Sequence, residues 1–311
     1  IEAIGHRMVH GGDKYQKSTI INDEVIRDSE ALIELAPIHI PANLTGVRAF
    51  QKIIKDATPV AVFDTSFHQT LPKEAYIYSV PYEWYEKYGV RKYGFHGTSH
   101  KYVSMRMNEI LGRDDTKIIT CHIGSGGSVS AVLNGKSIDT SLGFTPNSGI
   151  MMGTRSGDID SSIIPFIVKE AGLSLSEVDN ILNKKSGLLG VSKKYSDSRD
   201  IENGIKNGDE LCILAQEIYV RKIVEYIAKY YVLLGGCDAI VMTAGVGENS
   251  INTRKQIIEK LSVLGIELDE ERNNIRGEEA KITKDSSKVP VWVIPTDEEL
   301  MIARDTYNLT K

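Results

Sequence analysis

Residues 117–135 read KIITCHIGSGGSVSAVLNG, and the fold class turns on this stretch. Ile118, Ile119 and Cys121 open an apolar run bounded by turn residues, the pattern of a buried strand. The run stops at Gly124-Ser125-Gly126-Gly127-Ser128, and residues 128–133 then alternate polar and apolar as a second strand. Asn134-Gly135 is a type I′ turn signal, so a third strand is predicted over 136–142. The unit is three antiparallel strands whose first turn is rich in glycine. Glycine lets backbone N–H groups approach an anion closely because no Cβ intervenes. Ser125 and Ser128 add hydroxyl donors. A plain hairpin that needs glycine for its turn reads the same way, and this stretch alone leaves both readings open.

Toward the N-terminus, residues 1–12 read as a strand running into Gly11-Gly12 and carrying His6, Arg7 and His10. A helix is predicted over 23–35, capped by Asn22 or Asp23 and ended before Pro37, and Asn43 caps a second helix to about residue 56. Residues 58–67, TPVAVFDTSF, form a buried strand with Asp64 near its C-terminal end. Ligands of α/β sheets collect at that end, so Asp64 is a candidate site residue as well as a candidate turn aspartate. Residues 72–93 are irregular and aromatic, a packed loop or a subunit contact. Thr98 or Ser99 then caps a helix ending near Gly112. His96 precedes that helix between glycines, while His100, inside its first turn, reads as structural.

Toward the C-terminus, residues 143–160 carry several glycines and Arg155, a loop shaped around a ligand, with Asp158 capping the next helix. Ser174 and Glu177 form a capping box for a helix to about Lys185, residues 184–199 read as a polar loop, and 209–234 form a long amphipathic helix stopped by Gly235-Gly236. Residues 238–249, DAIVMTAGVGEN, read as a strand, a glycine turn of phosphate or nucleotide type, and a helix from about Ser250. A strand over 289–294 runs into Thr296-Asp297-Glu298-Glu299, a capping box for the last helix. Glu298 suits a helix N-terminus electrostatically; a metal ligand at a strand end is the alternative.

The chain has 311 residues, enough for two domains, with 41% hydrophobic and 25% charged residues and a net charge of −5. The acidic balance argues against nucleic acid as a main partner, and no apolar run reaches the length of a membrane span. Three cysteines in apolar settings read as buried thiols in a reducing compartment. Strands followed by helices recur twice, each set ending in a strand with an acid, which suits a duplicated α/β fold. The chain opens at Ile1, within a strand, and reads as a fragment or processed product.

Eight ordered blocks together resemble the acetate kinase (acetokinase) family over essentially the whole chain: GHRMVHGG (5–12), VFDTSFHQT (62–70), KYGFHGTSHKYV (92–103), CHIGSGGSVSAV (121–132), GFTP with MGTRSGDID (143–160), NKKSGLLGVS (183–192), TAGVGENS (243–250) and VIPTDEEL (293–300). The resemblance implies duplicated actin-like (ribonuclease H-like) α/β domains with a nucleotide cleft between them. Residues 1–67 and 300–311 would form the remainder of the first domain and 68–299 the second. It implies reversible phosphoryl transfer between ATP and acetate, giving ADP and acetyl phosphate with Mg²⁺, in a cytoplasmic homodimer.

Carried over by motif, Arg7 and Arg155 are the arginines of the transfer site, His96 contacts the transferred phosphoryl group, Asp64 is the catalytic aspartate and Glu298 the magnesium ligand. The acyl pocket maps to Val9, Ile38, Phe95 and Pro146. The nucleotide maps to His122, Ile123, Gly124, Ser125 and Gly126, to Asp197, Ser198 and Arg199, and to Gly245, Val246, Gly247, Glu248 and Asn249. The chain departs from the family pattern in places. It starts after the Asn-x-Gly-Ser-Ser-Ser-x-Lys loop, carries Ser125 where the phosphate hairpin usually has Asn, and has Asn147-Ser148 for Leu-Glu, Ile40 for Asn and Ser161 for Pro. Alternatives are a propionate or butyrate kinase of the same family, or an impaired nucleotide-binding fragment that binds ADP–Mg²⁺ but turns over little.

Overall fold

The computed structural model describes residues 1–37 and 39–311. Its strands are β1 (Ala3–Met8), β2 (Thr19–Ile20), β3 (Thr58–Phe63), β4 (Lys117–Ile123), β5 (Gly127–Leu133), β6 (Lys136–Thr140), β7 (Ala239–Thr243), β8 (Ala280–Lys281) and β9 (Val291–Val293). The chain divides into two compact units, Ile1–Thr116 with Val132–Pro146 and Thr296–Lys311, and Lys117–Ala131 with Asn147–Pro295. A boundary at 67/68 places the helix Gly97–Leu111 and Glu298 in the second domain, whereas in the structure both belong to the first unit.

In the first unit the strand order is β1-β3-β2. β1 runs parallel to β3, with Arg7 opposite Val62 and Met8 opposite Phe63, and β2 is antiparallel to β3. β3 is an unbroken apolar run because both faces are covered; Val60, Ala61 and Phe63 are fully buried. The helices His39–Ile53 and Glu298–Thr310 pack on β1. A Cβ at Gly5 would collide with Ile302 and Thr306 of the last helix, so glycine sets that approach. Asn22 caps the helix Asp23–Ala31 by accepting from Val25 N.

Asn43 does not cap a helix. The helix already begins at His39, and Asn43 Oδ1 instead accepts from Val9 N at 3.0 Å, tying the helix to the end of β1. Neither Thr98 nor Ser99 caps the helix Gly97–Leu111; the cap position is His96, in the left-handed conformation (φ 56°), and the helix ends at left-handed Gly112. The aromatic segment holds two short helices, Lys73–Tyr76 and Tyr82–Tyr88, started by Pro72 and Pro81. Asp297, not Thr296, caps the last helix, accepting from Leu300 N.

In the second unit β5, β4, β7, β9 and β8 lie side by side in that order. β4 and β7 are parallel, as are β7 and β9, and β8 is antiparallel to β9. Every residue of the central strand β7 is buried. The helix Glu210–Leu233 is capped by Asp209, which accepts from Leu211 N and Cys212 N, and buries Tyr219, Ile223, Ile227 and Tyr230 along one stripe. The Ser174–Glu177 capping box is present. Beyond β5 the turn Asn134-Gly135 has φ 50° and 72°, the left-handed pair a type I′ turn requires.

Three sequence expectations fail in the second unit. Asp158 caps nothing; its Oδ1 accepts from Gly149 N and closes its own loop, and the next helix starts after Ser162. The stretch read as a loop contains the helix Gly187–Ser192. The glycines of TAGVGEN do not form an open turn: they sit inside a short helix, Ala244–Asn249, entered through left-handed Ala244. Among the described residues no helix is long and apolar enough to cross a membrane.

Candidate active-site residues

Arg7 and Asp64 meet because β1 and β3 are parallel and in register. Asp64 follows the last residue of β3, and its N–H donates to Met8 O at 2.9 Å. Arg7 Nε donates to Asp64 Oδ1 at 3.0 Å and Nη2 to Oδ2 at 2.6 Å, a two-pronged guanidinium–carboxylate pair. Asp64 is 1% exposed and Arg7 50%, so the carboxylate is sealed beneath a guanidinium whose other side is open. Burial pushes the Asp64 carboxyl up, while the Arg7 charge and its hydrogen bonds pull it back down. The Asp64 charge in turn raises Arg7.

Glu298, the first residue of the last helix, brings Oε2 to 3.8 Å from Arg7 Nε. Burial raises its carboxyl, the Asp64 charge adds to that, and Arg7 opposes it. One guanidinium thus faces two carboxylates, leaving a net negative charge in a half-buried place. That donor set fits a hard divalent cation, which takes one or two carboxylates and completes its shell with water and phosphate oxygens. Among the described residues no group of three or more His, Cys, Asp or Glu could hold a metal by itself.

The His96 segment is hung on the main chain of the same residue, Asp64. Gly97 N donates to Asp64 O at 2.9 Å, and a Cβ at Gly97 would collide with that oxygen. Left-handed backbone at a non-glycine residue costs free energy and marks a place held by its surroundings. Phe95 is buried, and its carbonyl accepts from His68 Nε2 at 2.9 Å. With that proton on Nε2, His68 Nδ1 accepts from the Ser137 hydroxyl at 2.8 Å. His68 is fully buried, and desolvation lowers its pKa to about 4. Val9 is buried beside Asn43 and Pro146 is half-buried; Ile38 lies outside the described residues.

In the second unit a cavity of about 320 Å³ is lined by Gly124, Ser125, Asp197, Ser198, Arg199, Gly245, Val246 and Asn249, eight of the residues expected to hold a nucleotide. The hairpin turn is pinned by Gly153 N donating to Ser125 O at 3.1 Å. Asp197 caps the helix Ser198–Lys206 through Arg199 N and pairs with the Arg199 guanidinium at 3.0 and 2.6 Å, which holds its carboxyl below the ordinary range. His122, Ile123, Gly126, Gly247 and Glu248 do not line the cavity. Glu248 turns back, with Oε1 accepting from Ala244 N at 2.8 Å. Arg155 Nη1 lies 3.9 Å from Met152 Sδ, and burial lowers its pKa.

Leu188, Ser196, Glu202, Tyr219, Ser250 and Arg276 also line the cavity. They were missed: Leu188 and Ser250 lie within glycine-bearing blocks but are not themselves glycines or phosphate-type donors in the turn, and Ser196, Glu202, Tyr219 and Arg276 lie outside those blocks. Glu202 and Tyr219 sit inside ordinary amphipathic helices, where period alone marks a solvated or core position.

Comparison with known proteins supplies the context for these groups. The sequence profile of the Acetokinase family matches residues 1–304. The acetate kinase of Halothermothrix orenii is 53% identical over 313 residues, spanning 100% of this chain and 79% of that protein. The crystal structure of Porphyromonas gingivalis acetate kinase superposes with a TM-score of 0.96 at 50% identity, covering 100% of this chain and 79% of the other. That of a propionate kinase from Francisella tularensis gives 0.95 at 46% identity, covering 98% and 79%.

Proposed function

The chain belongs to the acetokinase family, with its actin-like α/β fold, and from that premise we propose that it transfers a phosphoryl group reversibly between ATP and acetate, giving ADP and acetyl phosphate. The observation that carries this reading is the Arg7–Asp64 pair with Glu298 beside it. In-line phosphoryl transfer asks a protein for positioning and for positive charge on the equatorial oxygens of the transferred group. Arg7 offers the open side of a guanidinium whose orientation is locked by a buried carboxylate. Arg155 supplies the second guanidinium and His96 a hydrogen-bond donor. Asp64 aims Arg7 and keeps it charged.

Glu298 is the residue that would hold the family's divalent metal, which we take to be Mg²⁺, while the Asp64 carboxylate stays committed to Arg7. Once bound, that ion neutralises charge on the phosphate oxygens. Of the described residues, Val9, Phe95 and Pro146 are assigned to the acyl pocket. Gly124, Ser125, Asp197–Arg199, Gly245, Val246 and Asn249 take the nucleotide, and the cavity of the second unit supports that assignment. A homodimer and a cytoplasmic location complete the proposal.

The likeness to a propionate kinase at 46% identity keeps a second acyl substrate in view. One methylene in an apolar pocket is worth only about 1–3 kcal/mol. The test is trapping of acyl phosphate as the hydroxamate with ATP and acetate, propionate or butyrate, with and without a chelator. Acetate should give the highest kcat/KM, and chelation should abolish it. Equal or better turnover of propionate moves the substrate, and no acyl phosphate from any of the three defeats the reading.

A further inference from the structure

We propose that His68 is a positioning residue: its imidazole holds the peptide group before His96 and so sets the direction in which His96 reaches the transferred phosphoryl group. The inference rests on the proposed role of His96 and goes beyond it, because that role says nothing of what fixes the side chain.

His96 has φ 56° and ψ 24°, a left-handed backbone at a residue that carries a Cβ. Rotation about φ moves it against the peptide group before it, and rotation about ψ against the one after it. Each of these planar groups is held from outside. After His96, Gly97 N donates to Asp64 O at 2.9 Å. Before it, Phe95 O accepts from His68 Nε2 at 2.9 Å. Both holds come from one stretch of chain: the short helix Ser66–Thr70 begins just after Asp64, and His68 N donates to Thr65 O at 3.1 Å. With both peptide groups fixed, His96 stays in the strained region. Freeing the Phe95 carbonyl lets φ relax toward the negative values that residues with a Cβ favour.

His68 is itself fixed. A carbonyl oxygen only accepts, so the ring proton sits on Nε2, and Nδ1 then accepts from the Ser137 hydroxyl at 2.8 Å. Thr70 Oγ1 donates to Ser137 O at 2.8 Å, which ties the same short helix to β6. His68 and Ser137 are fully buried. The His96 segment lies tight against the ring: a Cβ at Gly94 would come to 2.7 Å from two ring carbons of His68. A ring that only filled space would need neither polar bond, whereas here one tautomer serves both.

The experiment compares His68→Gln with His68→Met, side chains of similar length of which only Gln can donate to the Phe95 carbonyl. Each is made in the native chain and beside His96→Ala. The readouts are kcat, KM for acetate, the preference for acetate over propionate, and thermal unfolding. His68→Met should lower kcat on the order of 10²-fold, the cost of misplacing a group by about 1 Å, and His68→Gln should stay within about tenfold of native. Beside His96→Ala, which is already slow, His68→Met should lower kcat by no more than about twofold further, while its effect on the melting temperature stays the same in both backgrounds. Ser137→Ala leaves the ring in place and serves if His68→Met does not fold. It should lower kcat in the native chain and not beside His96→Ala.

Equal rates for His68→Gln and His68→Met overturn the inference. So do rate losses that multiply with that of His96→Ala; if the acetate preference changes with them, the ring acts on the pocket wall at Phe95 instead. An unchanged kcat in His96→Ala alone overturns the phosphoryl reading of His96, and this inference with it.

Discussion

The main-chain N–H of Gly97 donates to the main-chain carbonyl of Asp64 at 2.9 Å. The residue whose side chain clamps Arg7 thus also anchors, through its backbone, the segment that places His96. A shift at either end of this bond moves both groups that the proposed transfer needs.

Gly97→Ala should therefore lower kcat strongly. The added Cβ would meet the Asp64 carbonyl itself, not the yielding end of a flexible side chain. A displacement of about 1 Å at such a site costs on the order of 10²-fold in rate. The second-unit cavity contains neither residue, so the Kd for ADP should stay within about twofold, well under the tenfold that 1.4 kcal/mol represents. Steady-state kinetics beside calorimetry checks this, and unchanged kcat would remove the anchoring argument.

Arg7→Ala and Arg155→Ala should both lower kcat, on the order of 10³- to 10⁵-fold for an arginine that stabilises transferring phosphoryl oxygens. They should differ in stability. Removing Arg7 leaves Asp64 buried and unpaired, a loss of about 3 kcal/mol, at the low end for a broken buried pair because Arg7 is itself half in water. Arg7→Ala combined with Asp64→Asn should recover most of the melting temperature and none of the rate. Burial opposes the charge of Arg155, whereas the Asp64 charge supports that of Arg7, so loss of Arg155 should cost less stability than loss of Arg7. Equal melting temperatures for Arg7→Ala and the native chain would contradict the account of the pair.

Acid should destabilise the chain between pH 6.5 and 4. Burial depresses His68 and His10 to about 4 each in the folded protein. Above pH 6.5 both states carry these rings neutral. As pH falls below 6.5 the unfolded chain takes up protons that the folded one refuses, so stability drops until pH 4 and this contribution then levels off. Each ring contributes about 3 kcal/mol across that window. Urea unfolding at pH 7, 5.5 and 4.5 should show the fall, and His68→Gln should be less stable at pH 7 yet flatter in pH. A slope unchanged by the substitution would show that His68 does not supply it.

The β-elements and the place of Asp64 were legible because their signals are local. An apolar run followed by an acid places Asp64 at the end of β3, and Asn-Gly places the turn before β6. The capping errors share one cause: a polar side chain near a helix start has other partners that sequence does not display. Asn43 is spent on Val9, Asp158 on Gly149, and the helix after His96 starts on a main-chain bond to Asp64. Glu202 was illegible for a similar reason. Its partner Ser250 lies 48 residues away, so nothing in the surrounding sequence separates it from any solvent-facing glutamate.

Arg254 should prove essential to nucleotide binding without touching the nucleotide. It is fully buried, and its guanidinium donates only to neutral oxygens: Gly247 O at 3.1 Å, Glu248 O at 2.8 Å, Asn273 Oδ1 and O at 2.8 Å each, and Ile275 O at 2.8 Å. Burial brings its pKa down to about 10, with the charge of Arg276 acting the same way. These bonds lash the end of the helix Ala244–Asn249, which carries Gly245, Val246 and Asn249, to the 273–276 stretch, which carries Arg276; all four residues line the cavity. An ammonium has three donors and cannot reproduce the planar fork, so Arg254→Lys leaves at least two buried acceptors unmatched. At about 1–3 kcal/mol for each unsatisfied group, the melting temperature should fall clearly. Loosening of the helix against the 273–276 stretch should weaken ADP about tenfold or more, the equivalent of 1.4 kcal/mol. KM for acetate, set in the first unit, should hold. If Arg254→Lys melts lower yet binds ADP as the native chain does, the fork supports the fold alone.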